Sequence, residues 1–366
     1  MKTELSTVEE NALSHEGATD GDLPSDSQTA FQGPLFVVGM WRSGTSLLYA
    51  LLNQHPRIAL MYEGDLPLMW PLFLGGKAKS DWLERWEFWN GALSRHQIAH
   101  ENIPAQVAGL RAATELAYRE HAGDAIWGCK SPTYYDAIEK LARDFPAARF
   151  IVIYRNPADI CRSIVRAGRK ASWFSRSGMT LRALLGYAEM KKGADRVAAQ
   201  GAPVHLLQYE ELVRQPESVL RGICEFLQIP FDSRMVSLEN AERSAIYEAE
   251  HHAMVKSKQI RAMGPREEVL PAALKRKIAR YTHLWREEYD GAWPAHAETD
   301  SASAGNPGWL ERFSDSMLYR TYRIFDEAVL LLYCFAPLGL LRLYRERKGN
   351  AEMPKQSERA PAPGAD

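Results

Sequence analysis

The sequence is poor in cysteine, and its four cysteines are far apart: Cys129, Cys161, Cys224 and Cys334. The absence of any C-x-x-C pair argues against a zinc site and against a disulfide framework. We therefore expect buried core thiols in a protein of a reducing compartment.

An excess of charge of one sign is also lacking. The 45 Lys and Arg residues are balanced by 46 Asp and Glu residues, and the formal net charge is −1. Because a strong overall basic field is typical of proteins that bind nucleic acid, we expect no nucleic-acid partner. An anion site in this chain has to be built from local groups.

Residues 1–30 lack the pattern expected of a secretory signal sequence. Residues 1–30 contain one lysine, seven acidic residues and no apolar segment, whereas a signal peptide needs a basic start and an apolar run. We expect a disordered acidic tail over 1–30 and a cytoplasmic protein, with a peripheral position on the inner face of a membrane left open.

The most informative stretch that is present covers residues 35–46. An apolar run enters a turn that contains Gly39 and Gly44, and leucines at helical spacing follow. A strand, a tight loop and a helix N-terminus bind phosphate because free N–H groups and the helix dipole converge on the anion. The loop nearly matches the pattern G-x-x-x-x-G-K-[ST]. However, Thr45 occupies the lysine position and a positive charge lies at Arg42, so ordinary nucleotide hydrolysis is disfavoured.

Short apolar runs alternate with helical patterns along the chain. Strands are predicted at Leu35–Gly39, Ile58–Tyr62, Ala125–Gly128, Arg149–Tyr154 and Val204–Gln208, and helices at Thr45–Gln54, Thr133–Asp144, Pro157–Ala167 and Glu210–Leu227. This alternation predicts an α/β, P-loop-like three-layer fold with a central parallel sheet flanked by helices. Ligands of such sheets bind outside the carboxyl ends of the strands, which places the loop 39–46 and the turn 155–157 at one edge.

A second anion-binding pattern covers residues 150–163. A strand ends at Tyr154, Arg155 follows it, and Pro157 suits the first position of a helix. Ser163 lies about two helical turns beyond Arg155. An arginine and a serine that meet beside a helix could hold a second phosphate group, since arginine offers several donors.

Together these two segments resemble the sulfotransferases that use 3′-phosphoadenosine 5′-phosphosulfate (PAPS). Residues 42–46 look like the 5′-phosphosulfate loop of that family, and the segment from Tyr154 to Ser163 looks like its 3′-phosphate motif. The resemblance is nearest to the tyrosylprotein and bacterial sulfotransferases, and it covers roughly 33–290. Further matching segments are His55-Pro56 with Glu63, Gly128–Pro132 and His205–Pro230.

The resemblance implies a sulfuryl transfer to a hydroxyl, for which an acceptor base and positive charge at the leaving oxygen are needed. Glu63 is the implied base, with Asp65 as a nearby substitute and His96 or His100 as weaker ones. Lys130 and Arg42 are the implied cations at the reacting group. No metal is expected.

The resemblance also implies which residues hold PAPS. These are Arg42, Ser43, Gly44, Thr45, Ser46, Arg155, Ser163, Tyr209 and Ser257. The late Arg-Lys-Gly motif of the family is not clearly present, and the segment Gly264–Arg266 replaces it poorly.

The chain is expected to divide into a tail at 1–30, a sulfotransferase domain at 31–293, a linker at 294–308, a helical appendage at 309–348 and a disordered tail at 349–366. Within the domain, residues 63–124 are long and helical and carry four tryptophans. They form either a lid over the acceptor or a core layer.

The appendage contains the apolar segment Ala328–Leu341, which is short for a membrane span of about 20 residues. Arginines lie on both sides of this segment, so residues 318–345 could contact a membrane surface. Packing on the domain, or on a second copy in a homodimer, remains an alternative.

Two other functions remain open. A P-loop kinase acting on a small molecule would need a lysine at position 45 and an acidic magnesium ligand at a strand end. A non-catalytic membrane-associated adaptor would leave Arg42, Glu63, Lys130 and Arg155 without a shared role. For a sulfotransferase, the acceptor could be a lipid, a carbohydrate or a small-molecule alcohol, and a peptide tyrosine is not excluded.

Overall fold

Five parallel strands form the centre of the computed structural model, in the order β2-β3-β1-β4-β5. They are β1 (Leu35–Gly39), β2 (Ile58–Tyr62), β3 (Ile126–Ser131), β4 (Arg149–Tyr154) and β5 (Val204–Gln208). The fold class predicted from the sequence is confirmed, and so are the bounds of every strand except β3. Strand β3 continues to Ser131 because it stays paired with β1 up to Val38, so Lys130 lies inside the strand and not after it.

The structure describes residues 31–169, 173–176, 178–239, 241, 244–246, 255, 260, 270–281 and 309–348. The predictions for Ser257, for the segment Gly264–Arg266, for the linker at 294–308 and for the tails at 1–30 and 349–366 lie outside these residues.

Helices cover both faces of the sheet, and short 3-10 segments connect several of them. They are α1 (Thr45–Leu52), α2 (Trp82–Asn90), α3 (Ala92–Arg95), α4 (Leu110–Ala122), α5 (Ile138–Asp144), α6 (Pro157–Gly168), α7 (Met179–Ala199), α8 (Tyr209–Arg214), α9 (Pro216–Leu227), α10 (Ala272–Tyr281), α11 (Trp309–Phe335) and α12 (Leu338–Lys348).

The helix predicted at Pro157–Ala167 is confirmed and extends one residue further, to Gly168, whereas the other predicted helices are shorter or divided. The helix expected at Glu210–Leu227 is two helices, since Pro216 has no N–H to continue the first one. The helix expected at Thr133–Asp144 begins as a 3-10 segment, Pro132–Asp136. The 21-residue helix α7 was not predicted at all.

Alternation along β1 divides the apolar core into two layers. Phe36 and Val38 point into one layer, and Leu35 and Val37 point into the other, as the two-residue period of a strand requires. All four side chains are fully buried. The sheet edge that carries the strand ends is therefore held rigidly from both sides.

The tryptophan-rich segment belongs mainly to the core. Trp82 and Trp86 are fully buried and stacked with ring centroids 6.4 Å apart, whereas Trp70 is 48% exposed. The Trp82 indole N–H donates to the Ala105 carbonyl at 2.9 Å. For these two residues the core-layer alternative is correct.

Helix α11 packs on the domain through polar contacts. Asp315 accepts from Lys277 and Arg280 of α10, and Asp326 pairs with Arg182 of α7. Arg85 of α2 donates to the carbonyls of Tyr333 and Ala336, each at 2.9 Å.

Among the described helices, none is both long and apolar enough to cross a membrane.

The two tryptophans Trp82 and Trp70 allow a direct test of this core assignment. Trp82→Ala should destabilise the protein by about 3–5 kcal/mol because it leaves a cavity. Trp70→Ala, the matched control, should change the free energy of unfolding by less than about 0.5 kcal/mol. Urea unfolding measures both, and equal effects would show that Trp82 is not part of the core.

Candidate functional site

The loop between β1 and α1 is a tight turn that leaves no room for extra side chains. A Cβ atom on Gly39 would lie 2.5 Å from the Ser43 hydroxyl and from Ile153. Gly44 has a φ of +102°, and a Cβ there would lie 2.3 Å from the Tyr209 ring. Arg42 also has a positive φ, +71°. The two glycines therefore allow the backbone to approach a ligand closely.

This loop presents groups suited to an anion. No side chain of the described residues caps α1, and its first turn contains no acidic residue, so the positive end of the helix dipole is open. The Ser43 hydroxyl is fully buried and has no hydrogen-bond partner among the described residues. A buried polar group without a partner is costly, and a phosphate oxygen would satisfy it.

Two further predicted residues meet at Arg42. The Arg42 Nε donates to the Ser163 hydroxyl at 2.9 Å, and Arg155 Nη1 donates to the Arg42 carbonyl at 2.8 Å. The sequence pattern suggested that Arg155 and Ser163 would meet each other. They are instead joined through Arg42, so the two predicted anion sites form one continuous surface.

Tyr209 is the first residue of α8 and directly follows β5, and its ring packs against Arg155. The Arg155 guanidinium is 4.3 Å from the centre of the Tyr209 ring. The Arg155 Nε atom is buried without a hydrogen-bond partner within the described chain. A second anion could accept from this donor.

Positive charge is concentrated around the loop. Burial, together with the nearby charges of Arg155 and Arg166, lowers the pKa of Arg42 to about 10. Arg42 still carries its charge at neutral pH. A bound anion would relieve the repulsion among these arginines.

Lys130 and Glu63 form an ion pair at the adjacent strand ends. Lys130 Nζ lies 2.8 Å from Glu63 Oε1, and the lysine side chain is 0% exposed while that of Glu63 is 21% exposed. Lys130 also lies 3.5 Å from the centre of the Tyr62 ring and donates to the Ser46 hydroxyl at 3.4 Å. Burial lowers the pKa of Lys130, and the Glu63 carboxylate offsets part of that effect. The pair therefore touches the first turn of α1.

Glu63 is held in an unusual backbone conformation. Glu63 and Asp65 both have positive φ, +51° and +54°, which is unfavourable for residues other than glycine. The Glu63 N–H donates to the Lys130 carbonyl at 2.7 Å, and Asn90 Nδ2 donates to the Glu63 and Gly64 carbonyls at 2.7 and 2.8 Å. Strained residues that the surroundings fix so fully are typical of functional sites.

The substitute bases suggested by the sequence are less suitable than Glu63. Burial raises the pKa of Asp65, whose Oδ1 accepts from the Thr133 hydroxyl at 2.8 Å. Burial also lowers the pKa of His96 to about 3, and its Nε2 accepts the Tyr62 N–H at 2.9 Å. His96 is thus a structural residue, and His100 is exposed in a separate 3-10 segment.

Sequence reasoning missed the residues that support Glu63 from a distance. Asn90 and Trp86 come from α2, and the Trp86 indole donates to the Gly64 carbonyl at 2.5 Å. Tyr62 reads as an ordinary strand residue. Only its position next to Glu63 could have indicated that Tyr62 belongs to the site. No local sequence pattern indicates that Asn90 or Trp86 does.

Within the described ranges, no cluster of three or more His, Cys, Asp and Glu side chains is placed to hold a metal ion. Of the predicted nucleotide-binding residues, those in the described ranges converge on the carboxyl edge of the sheet: Arg42, Ser43, Gly44, Thr45, Ser46, Arg155, Ser163 and Tyr209.

Comparison with known proteins identifies the family. The family model described as "Sulfotransferase family" matches residues 34–233. This range contains the two anion-binding segments, 35–46 and 150–163, the Lys130–Glu63 pair and all five strands.

Two curated relatives and one solved structure illustrate the similarity. Protein-tyrosine sulfotransferase A of Caenorhabditis elegans is 26% identical over 58% of this chain and 56% of its own length. Protein-tyrosine sulfotransferase 1 of Danio rerio is 26% identical over 57% of this chain and 60% of its own. The chain thus spans little more than half of these relatives. The sulfotransferase domain of the Synechococcus PCC 7002 olefin synthase is 20% identical over 71% of this chain and 96% of that domain, with a TM-score of 0.49.

The buried imidazole of His96 predicts a pH dependence of stability. Its pKa is lowered to about 3 in the folded protein from an ordinary 6.5. Below pH 6.5 the unfolded chain binds a proton that the folded protein does not, so stability falls as the pH falls. His96→Gln should remove up to about 1.4 kcal/mol of this loss per pH unit between pH 6.5 and 5.

Urea unfolding at several pH values measures this effect, with the exposed residue substituted in His100→Gln as the control. A His96→Gln variant with the wild-type pH dependence would show that His96 is not held neutral in the fold.

Proposed function

This chain belongs to the sulfotransferase family, and we propose that it transfers the sulfuryl group of PAPS to a hydroxyl acceptor by in-line displacement. The observation that carries the proposal is the Lys130–Glu63 pair at 2.8 Å, which lies beside Ser46 at the start of α1. The pair places a carboxylate and a cation next to a loop that is suited to bind phosphate.

The residues around the loop fit the two anionic ends of PAPS. Ser43, Thr45 and Ser46 with the N-terminus of α1 would hold the 5′-phosphosulfate, and Arg42 would share its charge. Arg155, Ser163 and Tyr209 would hold the 3′-phosphate end. The buried Ser43 hydroxyl and Arg155 Nε, both without partners among the described residues, support this assignment. PAPS supplies an activated sulfuryl group on a good phosphate leaving group.

Glu63 and Lys130 have distinct parts in the proposed reaction. Glu63 is partly exposed and receives the proton of the acceptor hydroxyl at its carboxylate. Lys130 fixes that carboxylate and lies 3.4 Å from the Ser46 hydroxyl, so its positive charge would stabilise the negative charge that develops at the leaving oxygen. Arg42 adds charge from the loop. No metal is required in this scheme, because side chains supply the positive charge.

The acceptor is proposed as a hydroxyl compound, either a lipid, a carbohydrate or a small-molecule alcohol. The curated relatives are named for protein tyrosine, so a phenolic hydroxyl is compatible with the same base. We also propose a cytoplasmic location, which is supported by four free, buried cysteines.

The role of Glu63 can be tested by removing its basicity. Glu63→Gln should lower sulfuryl transfer by at least roughly 100-fold, since general-base loss has this size, and should leave binding of adenosine 3′,5′-bisphosphate within about twofold. Release of that bisphosphate in the presence of a panel of hydroxyl compounds measures transfer, and calorimetry measures binding.

The exposed carboxylate Glu101 gives the matched control, Glu101→Gln, which should keep wild-type turnover. The bisphosphate affinity of Glu63→Gln distinguishes loss of the base from loss of the fold, since only a folded variant retains that affinity. Near-normal turnover in Glu63→Gln would assign the base to another residue.

The two buried donors without partners among the described residues predict a loss of ligand binding, and for Ser43 this loss comes without a loss of stability. Arg155→Gln and Ser43→Ala should each weaken adenosine 3′,5′-bisphosphate about tenfold or more, because each removes a contact to phosphate. Ser43→Ala should not lower the stability of the free protein, since it removes a buried hydroxyl that has no partner there.

Calorimetry and thermal melting measure these effects, with the exposed Arg214→Gln as the control for loss of an arginine. Unchanged bisphosphate affinity in both variants would contradict the assignment of the loop.

A further inference from the structure

One face of α11 is apolar and exposed along its whole length. The apolar residues of this face, the outer face, are 40–69% exposed: Leu310, Phe313, Met317, Ile324, Phe325, Leu331, Leu332 and Phe335. A helix of 27 residues is about 40 Å long. Contiguous exposed apolar surface of this extent marks an interaction site.

The outer face cannot turn inward, because the opposite face is fixed to the domain. Asp315 bonds to α10, Asp326 to Arg182 and Arg323 to Asp136. Tyr319 and Cys334 are buried on the same side. These contacts fix the orientation of α11, with its apolar face directed away from the domain.

Charged residues are absent from the centre of the outer face. At 100° per residue, the eight apolar residues lie within about half of the helix circumference. The nearest charged residues, Arg320 and Glu327, fall at one border of that half. The polar residues within this arc, Ser314 and Thr321, are small and uncharged, and the Thr321 hydroxyl donates to the Met317 carbonyl at 2.9 Å. The stripe therefore lacks the charged groups that set the register between paired helices.

Basic charge follows the stripe at its carboxyl end. No charged residue occurs from Ala328 to Leu341, and helix α12 then contains Arg342, Arg345, Arg347 and Lys348 with a single acid, Glu346. Leu340 and Leu343 of α12 are 60% and 54% exposed. An apolar stripe beside basic residues complements the acyl boundary and the anionic headgroups of a membrane surface.

We propose that α11 and α12 bind in the plane of an anionic membrane surface, with the outer face against the acyl chains. The contact is peripheral. The opposite face of α11 is linked to the loop between β1 and α1, because Arg182, the partner of Asp326, lies 5.1 Å from the centre of the Trp41 ring in that loop.

Sedimentation of the full chain with vesicles tests this proposal. Vesicles of phosphatidylcholine with phosphatidylserine should bind the protein more tightly than phosphatidylcholine alone, and added salt should weaken the binding. The triple variant Ile324→Ser, Phe325→Ser, Leu332→Ser should partition at least tenfold more weakly.

The matched control removes three similarly exposed apolar residues elsewhere: Leu74→Ser, Leu116→Ser, Leu206→Ser. It should bind vesicles like the wild-type chain, and both variants should keep the wild-type circular dichroism and adenosine 3′,5′-bisphosphate affinity. Should the triple variant lose its fold, the single variant Ile324→Ser carries the test with a smaller loss.

Absence of vesicle binding by the wild-type chain would overturn the proposal, as would equal binding of the two triple variants. Analytical ultracentrifugation tests the alternative that a second copy of the chain covers the outer face. A wild-type dimer that becomes a monomer in the Ile324→Ser, Phe325→Ser, Leu332→Ser variant, without vesicle binding, would assign the outer face to a second copy.

Discussion

The structure of the site depends on one buried ion pair. Lys130 is fully buried in β3, and an unpaired ammonium at such a position would be strongly unfavourable. Glu63 is its partner, and the turn after β2 that carries Glu63 has positive φ at Glu63 and Asp65. Asn90, Trp86 and the Lys130 carbonyl hold this turn by hydrogen bonds. The carboxylate is thereby fixed next to the first helix before any ligand binds.

The parallel sheet explains why this pair lies beside an anion site. Strands β1, β2, β3 and β4 are neighbours and run in one direction, so the first loop, Glu63, Lys130 and Arg155 emerge at the same edge. Arg42 then joins the two anion-binding segments, because it contacts both Ser163 and Arg155. The repulsion among the arginines and the donors without partners are tolerated at this edge, where a doubly anionic ligand would satisfy both.

Much of this arrangement could be predicted from the sequence, because it depends on local patterns. The apolar runs predicted the bounds of four of the five strands. Two segments with glycine, arginine and serine at particular spacings predicted the anion-binding segments. Residues that act through tertiary contacts could not be found in this way. Asn90 and Trp86 lie more than twenty positions from the turn that they support. The burial of His96 and the extension of β3 through Lys130 likewise depend on neighbouring strands and not on local sequence.

Transfer of radioactive sulfur from labelled PAPS tests the central claim most directly. The purified chain is incubated with labelled PAPS and fractionated cell extract, and the fractions are searched for a labelled compound. The account predicts that a hydroxyl-bearing molecule acquires the label as a sulfate ester and that boiled enzyme yields none. If no fraction acquires label although the chain binds adenosine 3′,5′-bisphosphate, the account of the Lys130–Glu63 pair as a sulfuryl-transfer site is contradicted.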